Sequence, residues 1–159
     1  MQNLSAKYGK TLNLDKLTSY CPGCGHGIVT RLVAEAIETL GIRERAIAIV
    51  GIGCGGFSHH YMDVDAIEAT HGRSPSFAVG YKLCRPDNIV FTYCGDGDSC
   101  AIGLGDLMHA ANKGMPITSI MVNNSVFGMT GGQMSPESLP GQKTTSSPFG
   151  RDININGHP

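Results

Sequence analysis

A chain of 159 residues suits one domain and is long enough to bury a substantial core. Its 41% apolar residues, 16% charged residues and formal net charge of -1 exclude the basic surface of a nucleic-acid-binding protein and a charged disordered tail. The first residues lack a signal-peptide pattern, and no apolar stretch approaches the length of a membrane span. We therefore expect a cytoplasmic protein that binds neither nucleic acid nor membrane.

The first periodic segment predicts a helix over residues 26–40. Four apolar residues recur there at four-residue spacing, with charged residues on the other faces: Ile28, Leu32, Ala36 and Leu40. Gly41 follows as a stop signal. The pattern indicates an amphipathic helix with these four side chains on its apolar face.

Three short runs rich in β-branched residues predict strands over 46–50, 89–94 and 117–122, of which the first is expected to be buried. A helix is expected between the second and third strands, over about 99–112. This order predicts an α/β fold, with a parallel sheet and helices on both of its faces.

The composition changes after residue 128, where Gly, Ser, Thr and Pro dominate and no apolar periodicity remains. The segment 128–159 is therefore expected to be a long loop. Because such a loop should connect two regular elements, we interpret 1–159 as one domain that lacks its C-terminal part.

Polar residues follow two of the predicted strands directly. Gly95, Asp96, Gly97 and Asp98 come after one strand, and Asn124 comes after the next. In open α/β sheets ligands lie beyond the carboxyl ends of the strands, so these residues should converge. The Asp96 carboxylate and the Asn124 amide oxygen are hard ligands that suit Mg²⁺, and glycines let a diphosphate approach the backbone. Each motif alone is also compatible with a simple turn, but their combination indicates a Mg²⁺–diphosphate site.

The cysteines form a second group. Cys21 and Cys24 stand two residues apart beside His26, and Cys54 follows in a glycine-rich segment. Thiolates at this spacing can bind an iron–sulfur cluster or zinc, and they can also be mere neighbours at a helix start. Spacing alone does not decide among these, although Cys54 lies in the segment that should face the cofactor. Cys84, Cys94 and Cys100 are expected to be buried free thiols.

Together these motifs resemble the 2-oxoacid:ferredoxin oxidoreductases, specifically their β subunit with its thiamine diphosphate-binding domain. The similarity runs from about residue 20 to residue 151. It depends on the motifs CPGCGH (21–26), GIGC (51–54), THGR (70–73), GDGD (95–98), VNNSVFGMTGGQ (122–133) and SPFGR (147–151).

The resemblance implies roles for individual residues. Asp96, Asn124 and the Val126 carbonyl would bind Mg²⁺, and His71 and Arg73 would lie near the reacting carbonyl, unless their segment is only a charged surface turn. The implied cofactor contacts are Ile52, Gly53, Cys54, Gly55, Gly97, Asp98, Gly128 and Met129, with Gly95 beside them. Cys21, Cys24 and Cys54 would be three of four ligands to a [4Fe–4S] cluster. The family's fourth cysteine lies further along, so the ligand set within these residues is incomplete.

The implied reaction is oxidative decarboxylation of a 2-oxoacid, with electrons passed through the cluster to ferredoxin and the acyl group to coenzyme A. The pyrimidine-binding domain is expected on a partner α subunit, so this chain alone should be inactive. The segment 57–61 follows Cys54 and is expected to face the substrate, and its sequence favours 2-oxoglutarate or branched-chain substrates over pyruvate. A thiamine diphosphate enzyme without electron transfer and a zinc or redox-binding module remain the alternatives.

Overall fold

The computed structural model describes residues 10–159 and contains one parallel sheet with helices packed on it. The strands of this sheet are β1 (Ala46–Val50), β2 (Asp65–Glu68), β3 (Ile89–Gly95) and β4 (Ile117–Val122), in the order β2-β1-β3-β4. All three neighbouring pairs are parallel. The helices are α1 (Gly25–Thr39), α2 (Ser74–Cys84), α3 (Leu104–Asn112) and the short α4 (Ile153–Asn156). A two-residue hairpin pairs β5 (Val126–Phe127) with β6 (Gln133–Met134).

The core lies on both faces of β1, as the alternation of a strand requires. Ala48 and Val50 pack with Ala34 and Ile37 of α1 on one face. On the other face Ile47 and Ile49 pack with residues that include Ala78 of α2. The predicted parallel α/β sheet with helices on both faces is therefore confirmed. None of the helices formed by residues 10–159 combines the length and apolar character that crossing a bilayer requires.

The helix α1 has the predicted position but buries a different face. Its buried residues are His26, Thr30, Ala34 and Ile37. The predicted apolar stripe points outward, with Ile28, Leu32 and Leu40 exposed by 53%, 49% and 69%. The prediction was wrong because small and polar side chains fit closest to the sheet. Thr30 is accommodated there by a hydrogen bond of 3.1 Å with the hydroxyl of Tyr93 on β3.

The helix predicted over 99–112 is broken in two. Residues Gly97–Ile102 form a π-helical turn, and α3 begins only after Gly103. Such wide turns often occur at functional sites. Two elements were not predicted from the sequence. One is β2, a mostly exposed edge strand. The other is α2, which begins with a proline that fits the first helical turn.

Residues 128–159 contain little regular structure, with only β6 and α4 within them. Arg151 nevertheless ties this segment together, since its side chain is only 5% exposed. The guanidinium donates to the carbonyl oxygens of Pro136 and Ser138 at 2.6 Å each, and its Nε donates to the carbonyl of Gly157 at 3.0 Å. One buried cation thus satisfies backbone groups from both ends of the segment.

Candidate cofactor site

A cavity of about 360 Å³ lies where β1, β3 and β4 end. Its size suits a small ligand, and its position is where α/β sheets bind theirs. Most of the residues predicted to contact the cofactor or Mg²⁺ line it: Ile52, Gly53, Cys54, Gly95, Asp96, Gly97, Asp98, Asn124, Val126, Gly128 and Met129. His71 also lines the cavity, and so do three residues that had no assigned role: His26, Phe127 and Thr130.

Three oxygen atoms converge at one side of this cavity, from the Asp96 carboxylate, the Asn124 amide and the Val126 carbonyl. The Asn124 amide oxygen faces two acceptors. A 180° rotation would let the amide nitrogen donate to Asp96 Oδ1 at 3.2 Å and to the Val126 carbonyl at 2.8 Å. Neighbouring ligands of an octahedral Mg²⁺ lie about 2.9 Å apart, because each Mg–O distance is about 2.1 Å. The unrotated amide therefore suits a bound cation, and the rotated amide suits the cation-free protein.

The turn between Asn124 and Val126 directs these two oxygens toward the same point. Ser125 between them has a left-handed φ of 61°, which is uncommon for a residue other than glycine. Its N–H donates to Asn123 Oδ1 at 2.9 Å, and this bond stabilises the turn. Backbone strain of this kind is found where function requires a fixed geometry.

Asp96 is fixed from its other side. The carboxylate is buried, with 3% exposure, and Oδ2 accepts a hydrogen bond of 2.9 Å from the Ser135 hydroxyl. Ser135 belongs to the irregular segment held by Arg151, whose Nη1 lies 3.4 Å from the Ser135 carbonyl. Oδ1 of Asp96 therefore remains available for a ligand in the cavity.

Gly97 keeps the cavity floor open beside the cation position. A Cβ atom on Gly97 would lie 2.5 Å from two ring carbons of Phe127. Any other residue would therefore displace this ring, which itself lines the cavity. Close approach of a diphosphate to the Gly97 backbone stays a prediction.

Asp98 and His71 form a pair at the edge of the cavity. His71 Nδ1 is hydrogen-bonded to Asp98 Oδ1, and the same oxygen accepts the Gly72 N–H at 2.8 Å. The Asp98 side chain is 1% exposed, whereas that of His71 is 47% exposed. The carboxylate thus belongs to the protein interior, while the imidazole reaches the cavity.

Arg73 was predicted beside His71, but its side chain points away from the cavity. Its Nη1 lies 2.5 Å from Asp106 Oδ1, and Ser76 Oγ donates to Asp106 Oδ2 at 2.6 Å. The Ser76 hydroxyl and the Arg73 guanidinium together lower the pKa of Asp106. In this structure the three residues connect the start of α2 with α3, so a role for Arg73 near the reacting carbonyl stays a prediction.

The three predicted cluster ligands lie near one another beside the cavity. Cys24 precedes α1, its N–H donates to the Cys21 carbonyl at 3.0 Å, and Cys54 lines the cavity. Burial raises the pKa of the Cys54 thiol, and the neighbouring Cys24 and Cys21 raise it further. Within residues 10–159 no three His, Cys, Asp or Glu side chains gather closely enough to hold a single metal ion. A four-iron cluster has wider spacing, because each cysteine binds a different iron.

His26 is a buried residue of the cavity wall that the sequence analysis left without a role. Its exposure is 2%, and its Nδ1 has no hydrogen-bond partner. The ring stacks on Tyr20 with centroids 5.5 Å apart. Burial lowers its pKa although Asp96 acts in the opposite direction. A buried nitrogen without a partner is costly in the free protein.

Several other predicted residues lie outside the cavity wall. Gly55 packs against β3, where a Cβ would lie 3.1 Å from Cys94 Cα. The segment 57–61 was expected to face the substrate but does not line the cavity. Two of its residues, Phe57 and Tyr61, instead pack on Tyr20, next to the cysteine motif.

The remaining cysteines differ in exposure. All are free, but only Cys94 is buried, Cys100 is partly buried, and Cys84 is exposed. The prediction of three buried thiols is therefore wrong for Cys84, which stands at the solvent-facing end of α2. Burial, supported by the nearby Asp98 carboxylate, raises the pKa of Cys94 to about 12.

The fold and the cavity define an α/β domain that binds its ligand beyond the carboxyl ends of a parallel sheet. Residues 34–158 match the family described as thiamine pyrophosphate enzyme, C-terminal TPP binding domain. The chain belongs to this family, and thiamine diphosphate is the cofactor that the family binds.

Individual relatives confirm the resemblance to 2-oxoacid:ferredoxin oxidoreductase subunits. The chain is 45% identical over 142 residues to the ketoisovalerate oxidoreductase subunit VorA of Methanothermobacter thermautotrophicus, covering 89% of this chain and 30% of that protein. It is 38% identical over 148 residues to the 2-oxoglutarate synthase subunit KorB of Archaeoglobus fulgidus, covering 92% and 55% respectively. The chain therefore spans about half, or less, of the length of these relatives.

A solved structure has the same fold. It is a 2-oxoglutarate:ferredoxin oxidoreductase from Magnetococcus marinus with 2-oxoglutarate, coenzyme A and succinyl-CoA bound. The TM-score is 0.84 at 35% sequence identity, and the match covers 94% of this chain and 51% of that one.

Proposed function

We propose that this chain provides the diphosphate-binding site of a 2-oxoacid:ferredoxin oxidoreductase, in which it forms part of the β subunit. The enzyme would convert 2-oxoglutarate or a branched-chain 2-oxoacid to the acyl-CoA and CO₂, with ferredoxin as electron acceptor. The names of the relatives support both substrate groups. The whole of 1–159 is proposed to belong to one thiamine diphosphate-binding domain.

The observation that carries this proposal is the convergence of the Asp96, Asn124 and Val126 oxygens in the cavity. Hard oxygen ligands that leave several positions open are what Mg²⁺ uses when it also binds phosphate oxygens. The three groups would hold Mg²⁺, and Mg²⁺ would hold the diphosphate of the cofactor. A Cβ on Gly95 would meet nothing within 4 Å, so Gly95 leaves space for the diphosphate beside the ion, and Gly97 would contact it through its backbone.

Other residues of the cavity would act on the remainder of the cofactor and on the substrate. Ile52, Gly53 and Cys54 at one wall and Gly128 and Met129 at the other would enclose the cofactor and exclude water. When bound, thiamine diphosphate supplies a carbanion and stabilises the negative charge left by decarboxylation. His71 is proposed to face the reacting carbonyl, and His26 would form part of the wall around the cofactor.

We further propose that Cys21, Cys24 and Cys54 hold a [4Fe–4S] cluster. Cys54 lines the cofactor cavity, so a cluster bound to it would lie next to the site of oxidation. Electrons would leave the cofactor one at a time through this cluster to ferredoxin. The partner α subunit, with its pyrimidine-binding domain, is proposed to complete the enzyme.

The central claim is tested by calorimetric titration of the chain, assembled with its partner subunit, with thiamine diphosphate in the presence and absence of Mg²⁺. Asp96→Asn removes one anionic ligand at nearly constant shape, and we expect affinity to fall by at least about 100-fold, since outer ligands alone are typically worth 10- to 100-fold. Asp63→Asn is the matched control, because Asp63 is a surface carboxylate paired with Arg43. Equal affinity in Asp96→Asn and in the wild type would remove the claim.

The cluster is tested separately by anaerobic reconstitution with iron and sulfide. Because the three cysteines supply three of the four ligands, residues 1–159 alone should hold the cluster poorly. In a β subunit that also supplies the fourth cysteine, iron analysis and electron paramagnetic resonance after reduction should show a four-iron cluster and its loss in Cys54→Ser. Cys84→Ser is the control, since Cys84 lies exposed at the end of α2. Stoichiometric zinc in place of iron would contradict electron transfer and support a metal-binding module.

A further inference from the structure

The carboxylate of Asp98 is held more rigidly than a cofactor contact requires. One oxygen, Oδ1, accepts both the Gly72 N–H at 2.8 Å and a hydrogen bond with His71 Nδ1. The other, Oδ2, is buried without a hydrogen-bond partner. A Cβ on Gly51 would lie 2.0 Å from Oδ2, so the carboxylate fills the space that any other residue at position 51 would need.

We propose that Asp98 is a positioning residue that fixes the tautomer and orientation of His71. In this role Asp98 acts on the imidazole of His71 and is not a contact of the cofactor. The proposal rests on the proposed function for what fills the cavity, while the geometry of the pair stands by itself.

The tautomer follows from hydrogen-bond chemistry. Asp98 Oδ1 already accepts an N–H from Gly72, so it acts as an acceptor toward His71 as well. A neutral imidazole carries one hydrogen, and that hydrogen must then be on Nδ1. Nε2 consequently holds a free lone pair.

Nε2 is the ring nitrogen of His71 that remains free for a ligand. The His71 side chain is 47% exposed and belongs to the cavity wall, whereas its carboxylate partner is 1% exposed. Within residues 10–159 no protein group forms a hydrogen bond with Nε2. The pair therefore presents a proton acceptor to the cavity, oriented by a buried carboxylate from behind. Buried carboxylates orient catalytic and metal-binding imidazoles in this way in other proteins.

Asp98→Asn separates this role from cofactor binding. The substitution keeps the shape of the side chain but replaces one oxygen with an amide nitrogen and removes the charge. We expect the ring to lose its fixed tautomer, and kcat of the assembled enzyme to fall on the order of 100-fold, the lower range for an acid–base group. Affinity for thiamine diphosphate with Mg²⁺ should stay within about twofold, because the Asp98 side chain is only 1% exposed and its Oδ1 is hydrogen-bonded within the protein. The double variant with His71→Gln should lose no more activity than His71→Gln alone, because the two residues act as a unit.

The direct test is NMR of the chain with ¹⁵N-labelled histidine at alkaline pH, where imidazoles are neutral. The chain has six histidines, and His71→Gln identifies the signals of His71. We expect the Nδ1–H form in the wild type and a shift toward Nε2–H in Asp98→Asn. Asp106→Asn is the matched control: this carboxylate bonds Arg73 and Ser76 and should leave His71 unchanged.

Each outcome decides the proposal. An Nε2–H tautomer in the wild type would overturn it, and this measurement remains decisive even if Asp98→Asn does not fold. An unchanged tautomer in Asp98→Asn together with lost cofactor affinity would contradict the proposal and indicate that Asp98 contacts the cofactor. If the wild type fails to bind thiamine diphosphate but shows the Nδ1–H form, the proposed function fails while the positioning of His71 by Asp98 stands.

Discussion

Gly51→Ala should destabilise the protein although it adds only one methyl group. Gly51 is buried directly after β1, and the new Cβ would lie 2.0 Å from Asp98 Oδ2 and 2.6 Å from its Cγ. The Asp98 carboxylate must move, and its hydrogen bonds to Gly72 and His71 must lengthen. Overpacking costs about 1–3 kcal/mol, and a hydrogen bond to a charged group is worth about 1.5–3 kcal/mol. We therefore expect a loss of about 3 kcal/mol.

Thermal unfolding of the chain, followed by circular dichroism, measures this loss. For a domain of this size, 1 kcal/mol corresponds to about 2–4 °C, so Tm should fall by about 6–12 °C. Gly105→Ala is the matched control, because a Cβ there meets nothing within 4 Å and Gly105 lies inside α3. That variant should be stabilised by up to about 1 kcal/mol, since alanine favours helices. A Gly51→Ala protein as stable as the wild type would refute the packing argument and the rigid position of Asp98.

Three further predictions follow from the surroundings of the cavity. Gly97→Ala should weaken thiamine diphosphate binding more than stability, because the new methyl group displaces the Phe127 ring, which lines the cavity; calorimetry and thermal unfolding measured together check this. Arg151→Lys should lower the free energy of unfolding by about 2 kcal/mol, as one ammonium group cannot satisfy the carbonyls the guanidinium reaches; equal denaturation midpoints would contradict it. In metal-free protein at pH 8, iodoacetamide should label the exposed Cys84 quickly and Cys94 only after unfolding. Cys94 is buried, and its pKa of about 12 keeps the thiol neutral and unreactive at this pH. Mass spectrometry of the labelled peptides measures the two rates.

The sequence predicted those parts of the fold that depend on local pattern. The runs of β-branched residues marked β1 and β3 because buried parallel strands need continuous apolar sequence. The run at β4 has the same pattern, although this edge strand has no buried residue. The edge strand β2 was not predicted, because mostly exposed strands carry polar residues, as Asp65 and Glu68 show. Helix α1 was found, but its buried face was not. A four-residue spacing of large apolar residues cannot reveal that Thr30 finds a partner on another element.

The residues of the candidate site likewise fall into those that local sequence pattern predicts and those that it does not. Residues next to strand ends, such as Asp96 and Asn124, were predicted to meet because parallel strands end at one edge. Contacts between loops that lie far apart in the sequence could not be predicted in this way. His71 and Asp98 are 27 residues apart, and Arg73 turns to Asp106 instead of the cavity. His26 stood inside the quoted cysteine motif, but the pattern alone could not show that its ring is buried in the wall of the cavity.

Asp96 and Asp98 are two buried carboxylates separated by one glycine, and this spacing explains how one short segment serves two purposes. Like charges in a low-dielectric interior destabilise each other unless each has its own partners. Asp96 has the Ser135 hydroxyl and the proposed cation, and Asp98 has the Gly72 N–H and His71. The π-helical turn that starts at Gly97 lies between these two sets of partners. We infer that the wide turn is retained because a regular first helical turn would not direct both carboxylates to their separate partners.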